Sequence, residues 1–409
     1  MMKKLFMLLF IITITIFPYL EVNAVNVEKF NTYSNNIIVY NLEENKIMYQ
    51  KNEDEKASIA SLTKVMSALV ILENTNNLNK KIDFQKVDFN FLRQEDLSVS
   101  TLDINKTYTY QDFLYSFILE SSADCGYALV LDTTNSVDKF VSLMNKKAQE
   151  IGMKNTRFSN PIGLDDVNNY STMEDMLKLM KYSLNNKTLN KIISTFTYTT
   201  SNNDKINHTI LGYMTKFKLD MPYLKGGKTG YNDDPGYALM SYAKKNNSTY
   251  IIVSTNASYD RNNPKHLKDA KKLYEYYFSN YGYQKIIEKN DTILSLKTKY
   301  LKESKIDIKA PKDVLYFLKN NYDKNDITTK YKGINTITPK NKKGDKLGTL
   351  EIYYQDNLVD TLDITLEKDV HFSIIKFLET NKYLIIASIT YISIIILTIV
   401  ITKKIKNKK

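Results

Sequence analysis

The chain has 409 residues, 43% hydrophobic and 25% charged, with a formal net charge of +12, an ordinary globular composition with room for two or three domains. Five positive charges, Lys403, Lys404, Lys406, Lys408 and Lys409, crowd into the last seven residues; the others are scattered among acids without an aromatic-interleaved stripe, which argues against nucleic acid and for an anionic surface. The single cysteine, Cys125, excludes an internal disulfide, and three distant histidines (His208, His266, His371) make no spaced ligand set, so neither a metal nor a cofactor is expected.

Met1 to Ala24 has the three parts of a secretory signal peptide: Lys3 and Lys4, an apolar run from Leu5 to Phe17, and a small-residue cleavage site at Val22-Asn23-Ala24. Asn36 to Gln50 reads as two strands joined at Glu44-Asn45. Lys56 to Leu69, KASIASLTKVMSAL, opens a helix on which Ser61 and Lys64 share a face, so that the lysine amine can take the hydroxyl proton. The same spacing recurs at Ser136/Lys139, Ser241/Lys244 and Ser373/Lys376; spacing alone does not decide among them.

Asp83 to Asp103 reads as loop or short strands. Thr109 to Leu131 reads as a helix capped by Thr109, with Glu120-Ser121-Ser122-Ala123-Asp124 inside it. Ser136 to Ile151 is a second helix, stopped by Gly152. A Pro- and Gly-containing loop, Asn160 to Asp166, precedes Ser171-Thr172-Met173-Glu174, a capping box for a helix running to about Leu184. Lys225 to Tyr231, KGGKTGY, leads into the strand-like runs Tyr237 to Tyr242 and Thr249 to Thr255, then a helix from Pro264 to Tyr281. Mixed helices and antiparallel strands point to one α+β domain, residues 25–285, closed by its termini.

Thr292 to Leu296, Ile306 to Ile308, Leu315 to Leu318, Gly348 to Tyr354 and Leu358 to Leu366 read as strands of a small β-rich domain at 286–370. Tyr383 to Ile401 carries no charge, and at ~1.5 Å per residue it nearly crosses a ~30 Å hydrocarbon core, as a transmembrane helix does. The basic tail, 402–409, then belongs in the cytoplasm and everything before Tyr383 outside.

Ser61-x-x-Lys64, a segment bearing Ser121 and then Lys228-Thr229-Gly230 follow the order of the motif set of penicillin-binding proteins and class A β-lactamases. KASIASLTKVMSAL, MNKKAQEIGMKNTRFSNPIGLDD with NYSTMEDM, and GGKTGYNDDPGYALMSYAKK resemble the low-molecular-mass penicillin-binding proteins that are serine-type D-Ala-D-Ala carboxypeptidases. The resemblance covers roughly residues 36–281 and, more loosely, the β-rich segment to about 366. It implies a β-lactamase/transpeptidase-like α+β domain, an antiparallel sheet flanked by helices, followed by a small all-β domain and a C-terminal transmembrane helix. The implied reaction removes the terminal D-Ala from peptidoglycan stem pentapeptides through an acyl-enzyme on Ser61, with β-lactam antibiotics as covalent inhibitors.

Within that resemblance Lys64 is the base, kept neutral by like-charge repulsion from Lys228, and Ser121 relays the proton. Lys228 and Thr229 take the substrate carboxylate, Gly230 allows close backbone approach, and the amides of Ser61 and Tyr231 form the oxyanion hole. The chain departs from the family at the second motif, usually Ser-x-Asn: it reads as Ser121-Ser122-Ala123, or shifted as Ser122-Ala123-Asp124. Two other functions fit the motifs: a degenerate penicillin-binding or wall-binding protein with little turnover, and a β-lactamase, for which Glu174 is the nearest deacylating carboxylate. Asp165 and Asp166 read as loop caps, and Cys125 as packing.

Overall fold

The computed structural model describes residues 28–233 and 236–406; the expected signal peptide lies outside them. The β-branched and aromatic residues on either side of Glu44-Asn45 pair as a hairpin, β1 (Ser34–Asn41) with β2 (Lys46–Lys51). Three further strands, β3 (Leu224–Asn232), β4 (Gly236–Lys245) and β5 (Ser248–Ala257), form the expected meander. β5 then pairs with β1, Val39 opposite Ile252, giving an antiparallel sheet in the order β2-β1-β5-β4-β3. The first and last strands of the region therefore meet, and β3 is left at an edge.

Period-two alternation sends the residues of this sheet to two faces. Ile38, Tyr40, Met240, Ile251 and Val253 join the large helical core, whereas Ser241 faces the other way. The helices are α1 (Thr63–Asn74), α2 (Phe89–Gln94), α3 (Tyr110–Leu119), α4 (Ala123–Thr134), α5 (Val137–Glu150), α6 (Met173–Asn185), α7 (Lys187–Ile193), α8 (Thr209–Phe217) and α9 (Lys265–Asn280). On the second face Ser241 Oγ meets Tyr274 Oη of α9 at 2.9 Å. α1 is the central helix: every residue from Thr63 to Ile71 is buried, Lys64 and Ser67 included. Ser67 Oγ is satisfied by donating to the Pro161 carbonyl at 2.6 Å.

Three expectations need correction. The stretch Asp83 to Asp103 contains α2, capped by Asp88 Oδ1 accepting from the amides of Asn90 and Phe91. The helix from Thr109 to Leu131 is two helices, because Ser121 holds φ +65°, a left-handed conformation that no α-helix interior accommodates. The cap of α6 lies one residue later than expected: Thr172 Oγ1 accepts from the Asp175 amide, and the Asp175 carboxylate turns to Asn155 and Thr156. Thr109 does cap α3, in a reciprocal box with Asp112.

The chain divides into two compact units after Tyr276. The second unit holds β6 (Tyr281–Ile287), β7 (Thr292–Thr298), β8 (Lys305–Lys309), β9 (Val314–Lys319), β10 (Ile327–Gly333), β11 (Lys346–Tyr354) and β12 (Asn357–Thr365), around a core that includes Leu296, Ile308, Ile337, Leu350 and Ile364. It ends in α10 (Ile374–Lys406). Ile374–Lys404 spans 31 residues, its most apolar 18-residue stretch has a mean hydropathy of 2.8 with none of it buried, and it is long and apolar enough to cross a membrane.

Packing between α3 and α4 is tight at Gly126, where a Cβ would lie 2.4 Å from the Phe117 ring. Gly126→Ala should overpack this contact and cost about 1–3 kcal/mol, read as a lowered midpoint in chemical denaturation with an unchanged slope.

Candidate active site

Ser61 lies in the single 3-10 turn Ala60–Leu62 that leads into α1. Two glycines let other backbone press against this turn. A Cβ on Gly163, itself at φ +81°, would fall 1.9 Å from the Ala60 carbonyl oxygen and 2.8 Å from Ser61 N. One on Gly230 of β3 would fall 3.0 Å from Ala60 Cβ and 3.2 Å from Ser61 N. The loop carrying Gly163 is curled by a residue that no motif singles out: Asn160 Oδ1 accepts from the amides of Ile162, Gly163 and Leu164.

That curl aims the Ile162 carbonyl inward. Lys64 Nζ lies 2.8 Å from Ser61 Oγ and donates to Ile162 O at 2.6 Å. Burial, reinforced by the positive charge of Lys228, holds the Lys64 amine well below the ordinary lysine range. Lys228 is wholly buried and donates to the Thr229 carbonyl at 2.8 Å; burial pushes its pKa down to about 7. Two ammonium groups sharing one buried region repel, so Lys64 is the neutral member. A neutral amine that donates to Ile162 O keeps its lone pair for the Ser61 hydroxyl proton.

Behind β3, His208 Nδ1 accepts from the Ile210 amide at 3.0 Å, which leaves Nε2 as the protonated nitrogen donating to Gly227 O at 2.9 Å. Burial, and then the charge of Lys228, lowers His208 to about 3. It is thus a neutral clamp on the strand that carries Lys228. Thr229 Oγ1 pairs with Thr209 Oγ1 at 2.9 Å, fixing the front of the same strand against α8.

Ser61, Lys64, Ser121, Ala123, Thr229, Gly230 and Tyr231 line one cavity of about 510 Å³. Lys228 lies buried behind that wall. In the second motif, Ser122 is buried and its Oγ accepts from Ser116 Oγ at 2.9 Å, while the Asp124 carboxylate accepts from Ser100 N and Oγ. Of the segment Glu120 to Asp124, it is Glu120, Ser121 and Ala123 that line the cavity, and Ser122 and Asp124 do not. Tyr231 contributes its backbone and a partly exposed ring whose Oη donates to Asp233 Oδ1 at 2.6 Å.

The remaining candidates separate from this group. Glu174 is on the first turn of α6, its amide bonded to Glu53 O at 3.3 Å, and it is not among the cavity residues. Asp166 caps its own loop by accepting from the Asn168 amide, whereas Asp165 reaches the cavity edge and accepts from Asn232 Nδ2 at 3.1 Å. Cys125 is buried in the apolar core, where desolvation raises its thiol pKa. Ser136 caps α5, Ser241 binds Tyr274, and Ser373 Oγ accepts from the Lys376 amide. The other three serine-lysine spacings thus have local structural jobs.

Gly163→Ala should displace the Ile162–Gly163 backbone from Ala60, with a positive φ that disfavours any side chain. The expected result is at least a ~10-fold slower covalent modification of Ser61 by a serine-directed acylating reagent, equivalent to about 1.4 kcal/mol, with far-UV circular dichroism retained.

Residues 23–259 match the family described as D-alanyl-D-alanine carboxypeptidase, and residues 281–371 match the C-terminal domain of penicillin-binding protein 5. The chain is 29% identical over 328 residues to the D-alanyl-D-alanine carboxypeptidase DacF of Bacillus subtilis, covering 80% of this chain and 82% of that one. Among solved structures, the Streptomyces K15 DD-transpeptidase is similar at 26% identity and a TM-score of 0.55, covering 62% of this chain and all of that one. Penicillin-binding protein 5 of Haemophilus influenzae shares the fold with a TM-score of 0.58 at 22% identity, over 84% of this chain and 99% of that one.

Proposed function

The chain belongs to the D-alanyl-D-alanine carboxypeptidase family of serine hydrolases, and from that premise we propose that it trims the terminal D-Ala from peptidoglycan stem pentapeptides through an acyl-enzyme on Ser61. The observation that carries the assignment is the 2.8 Å approach of Lys64 Nζ to Ser61 Oγ, with the amine buried beside a second lysine and so kept neutral. Lys64 takes the hydroxyl proton as Oγ attacks the carbonyl carbon of the penultimate D-Ala. The amides of Ser61 and Tyr231 stabilise the oxyanion. Ser121 passes the proton to the departing D-Ala nitrogen, and water then hydrolyses the ester.

The terminal carboxylate of the substrate meets Thr229 Oγ1 on the cavity wall. Lys228 supports it from behind as a buried charge. Ala123 has no side-chain amide to offer the peptide, and its backbone amide is taken by Ser98 O, so substrate holding falls to β3 and the Gly163 loop. β-Lactams, which the family binds, present their own acyl carbonyl to the same serine.

The wider arrangement is also proposed: a signal peptide at 1–24, a catalytic domain at 25–285, a β-rich spacer at 286–370, and a span at 383–401 that leaves 402–409 in the cytoplasm. The apolar surface of α10 supports this anchor.

A fluorescent penicillin should label the wild-type chain and not Ser61→Ala, and diacetyl-Lys-D-Ala-D-Ala should release D-Ala only with wild type. Labelling without D-Ala release would turn the assignment to a binding protein, and fast hydrolysis of a chromogenic cephalosporin would turn it to a β-lactamase.

The pH dependence follows from the two lysines. A lowered pKa keeps Lys64 neutral down to a pH at which an ordinary lysine is charged, so kcat/KM should fall only when acid reaches that depressed value. Lys228 works as a cation and loses its proton above about 7 in the free enzyme, so KM for carboxylate-ended peptides should climb above that pH. Lys64→Arg, charged at every pH, should lower kcat by about 10²–10⁴-fold. Stopped-flow acylation across pH 5 to 10 reads all three.

A further inference from the structure

The turn between β7 and β8 carries Tyr300 at φ +65°, and its ring does not pack into the β-rich core. It meets Phe377 on the first turn of α10 at 5.1 Å and Phe372 at 6.5 Å, and those two rings are 5.7 Å apart. The Ser373 amide donates to Tyr300 O at 2.8 Å, fastening the start of the helix to the turn. Despite these contacts the surface stays open: Phe372 is 53% exposed, and Ile374 and Ile375 are each 65% exposed. Lys299 Nζ lies 5.0 Å from the Tyr300 ring centre and Lys382 Nζ 4.9 Å from that of Tyr383.

Length decides what covers this patch. The uncharged stretch of α10, Tyr383 to Ile401, has 19 residues, or roughly 28 Å at ~1.5 Å per residue, close to the ~30 Å of hydrocarbon and short of the ~40–45 Å of whole bilayer. The first turns of the helix, where Ile374, Ile375, Phe377 and Leu378 alternate with Lys376, Glu379 and Lys382, therefore fall outside the hydrocarbon, in the headgroup layer. If Tyr383 marks the hydrocarbon edge, Phe377 lies about 9 Å further out along the helix, at headgroup depth. Aromatic rings with adjacent lysines favour that depth, the ring among the headgroups and the ammonium in water.

We propose that Tyr300, Phe372 and Phe377 seat the β-rich unit in the headgroup layer of the membrane, so that this unit rests on the lipid surface and is not merely tethered above it. The proposal rests on α10 being the membrane anchor. Its occupant is the lipid surface of the bilayer that α10 enters, because the patch is continuous with that helix.

The chain has no tryptophan, so single substitutions report one place each. Phe372→Trp, Ile392→Trp and Leu358→Trp would be made in the full chain and reconstituted into phosphatidylcholine vesicles carrying bromines at shallow or deep acyl positions. Leu358 is 56% exposed near the start of β12, about 25 Å along that strand from the end that leads to α10, and serves as the water-facing reference. The expected result is a blue-shifted emission of Phe372→Trp, lost with shallow bromines and protected from iodide relative to Leu358→Trp. If Phe372→Trp is quenched by iodide as fully as Leu358→Trp while Ile392→Trp is quenched by deep bromines, the seat is overturned and the anchor stands. If Ile392→Trp is quenched by neither lipid, both fall together.

Discussion

Two lysine ammonium groups cannot share one dry region, and the architecture around the candidate site depends on that constraint. Burying an isolated charge costs so much that the group gives up its proton instead. Lys64, enclosed in the central helix, is the one that does so, because it has both burial and Lys228 against its charge. Ile162 O and Thr229 O then each receive one lysine N–H. His208, neutral and turned to Gly227, completes the set without adding a third cation. The polar groups are satisfied mainly by peptide carbonyls, which carry no net charge and leave the balance between the two amines undisturbed.

Such an arrangement requires segments remote in sequence to approach at backbone distance. β3, the Asn160 to Leu164 loop and the Ala60–Leu62 turn converge where Gly163 and Gly230 leave room. β3 is an edge strand whose outer side faces the cavity, and it is held in register by β4, with Lys228 opposite Met240 and Gly230 opposite Ala238. Closure of the sheet by β1 against β5 fixes that edge relative to α1, whose buried face packs on the same core. The position of the serine turn is thus a property of the whole first unit and not of the local helix start.

Much of this is legible in the residue pattern alone. The hairpin at Glu44-Asn45, the meander after Tyr231, and the Ser61-Lys64 and Lys228-Thr229-Gly230 pairs are short-range patterns in which residue type and spacing carry the geometry. What escaped has physical causes. A main-chain acceptor such as Ile162 O leaves no signature in residue type, and Asn160 looks like any loop asparagine. The break at Ser121 was hidden because the apolar pattern of Phe113, Phe117 and Ala128 runs on through it, and tertiary packing imposes the left-handed residue. Ser171 and Thr172 are both good caps, so the register of α6 was decided by where Asp175 finds Asn155 and Thr156. α8 begins with a histidine cap, a rare choice with weak local signal, and β10 is polar along most of its length.

The reliance on peptide carbonyls has a consequence for how this chain can vary over generations. A carbonyl oxygen is present whatever side chain is attached, so drift at Ile162 alters the steric fit and leaves the hydrogen bond to Lys64 in place. Vulnerability concentrates instead where shape is indispensable, at the two glycines and at Asn160, which together set the course of the backbone. Under selection by a drug that acylates the serine, the inheritable routes to escape are correspondingly narrow, since a change that deflects the drug by moving these atoms also moves the base.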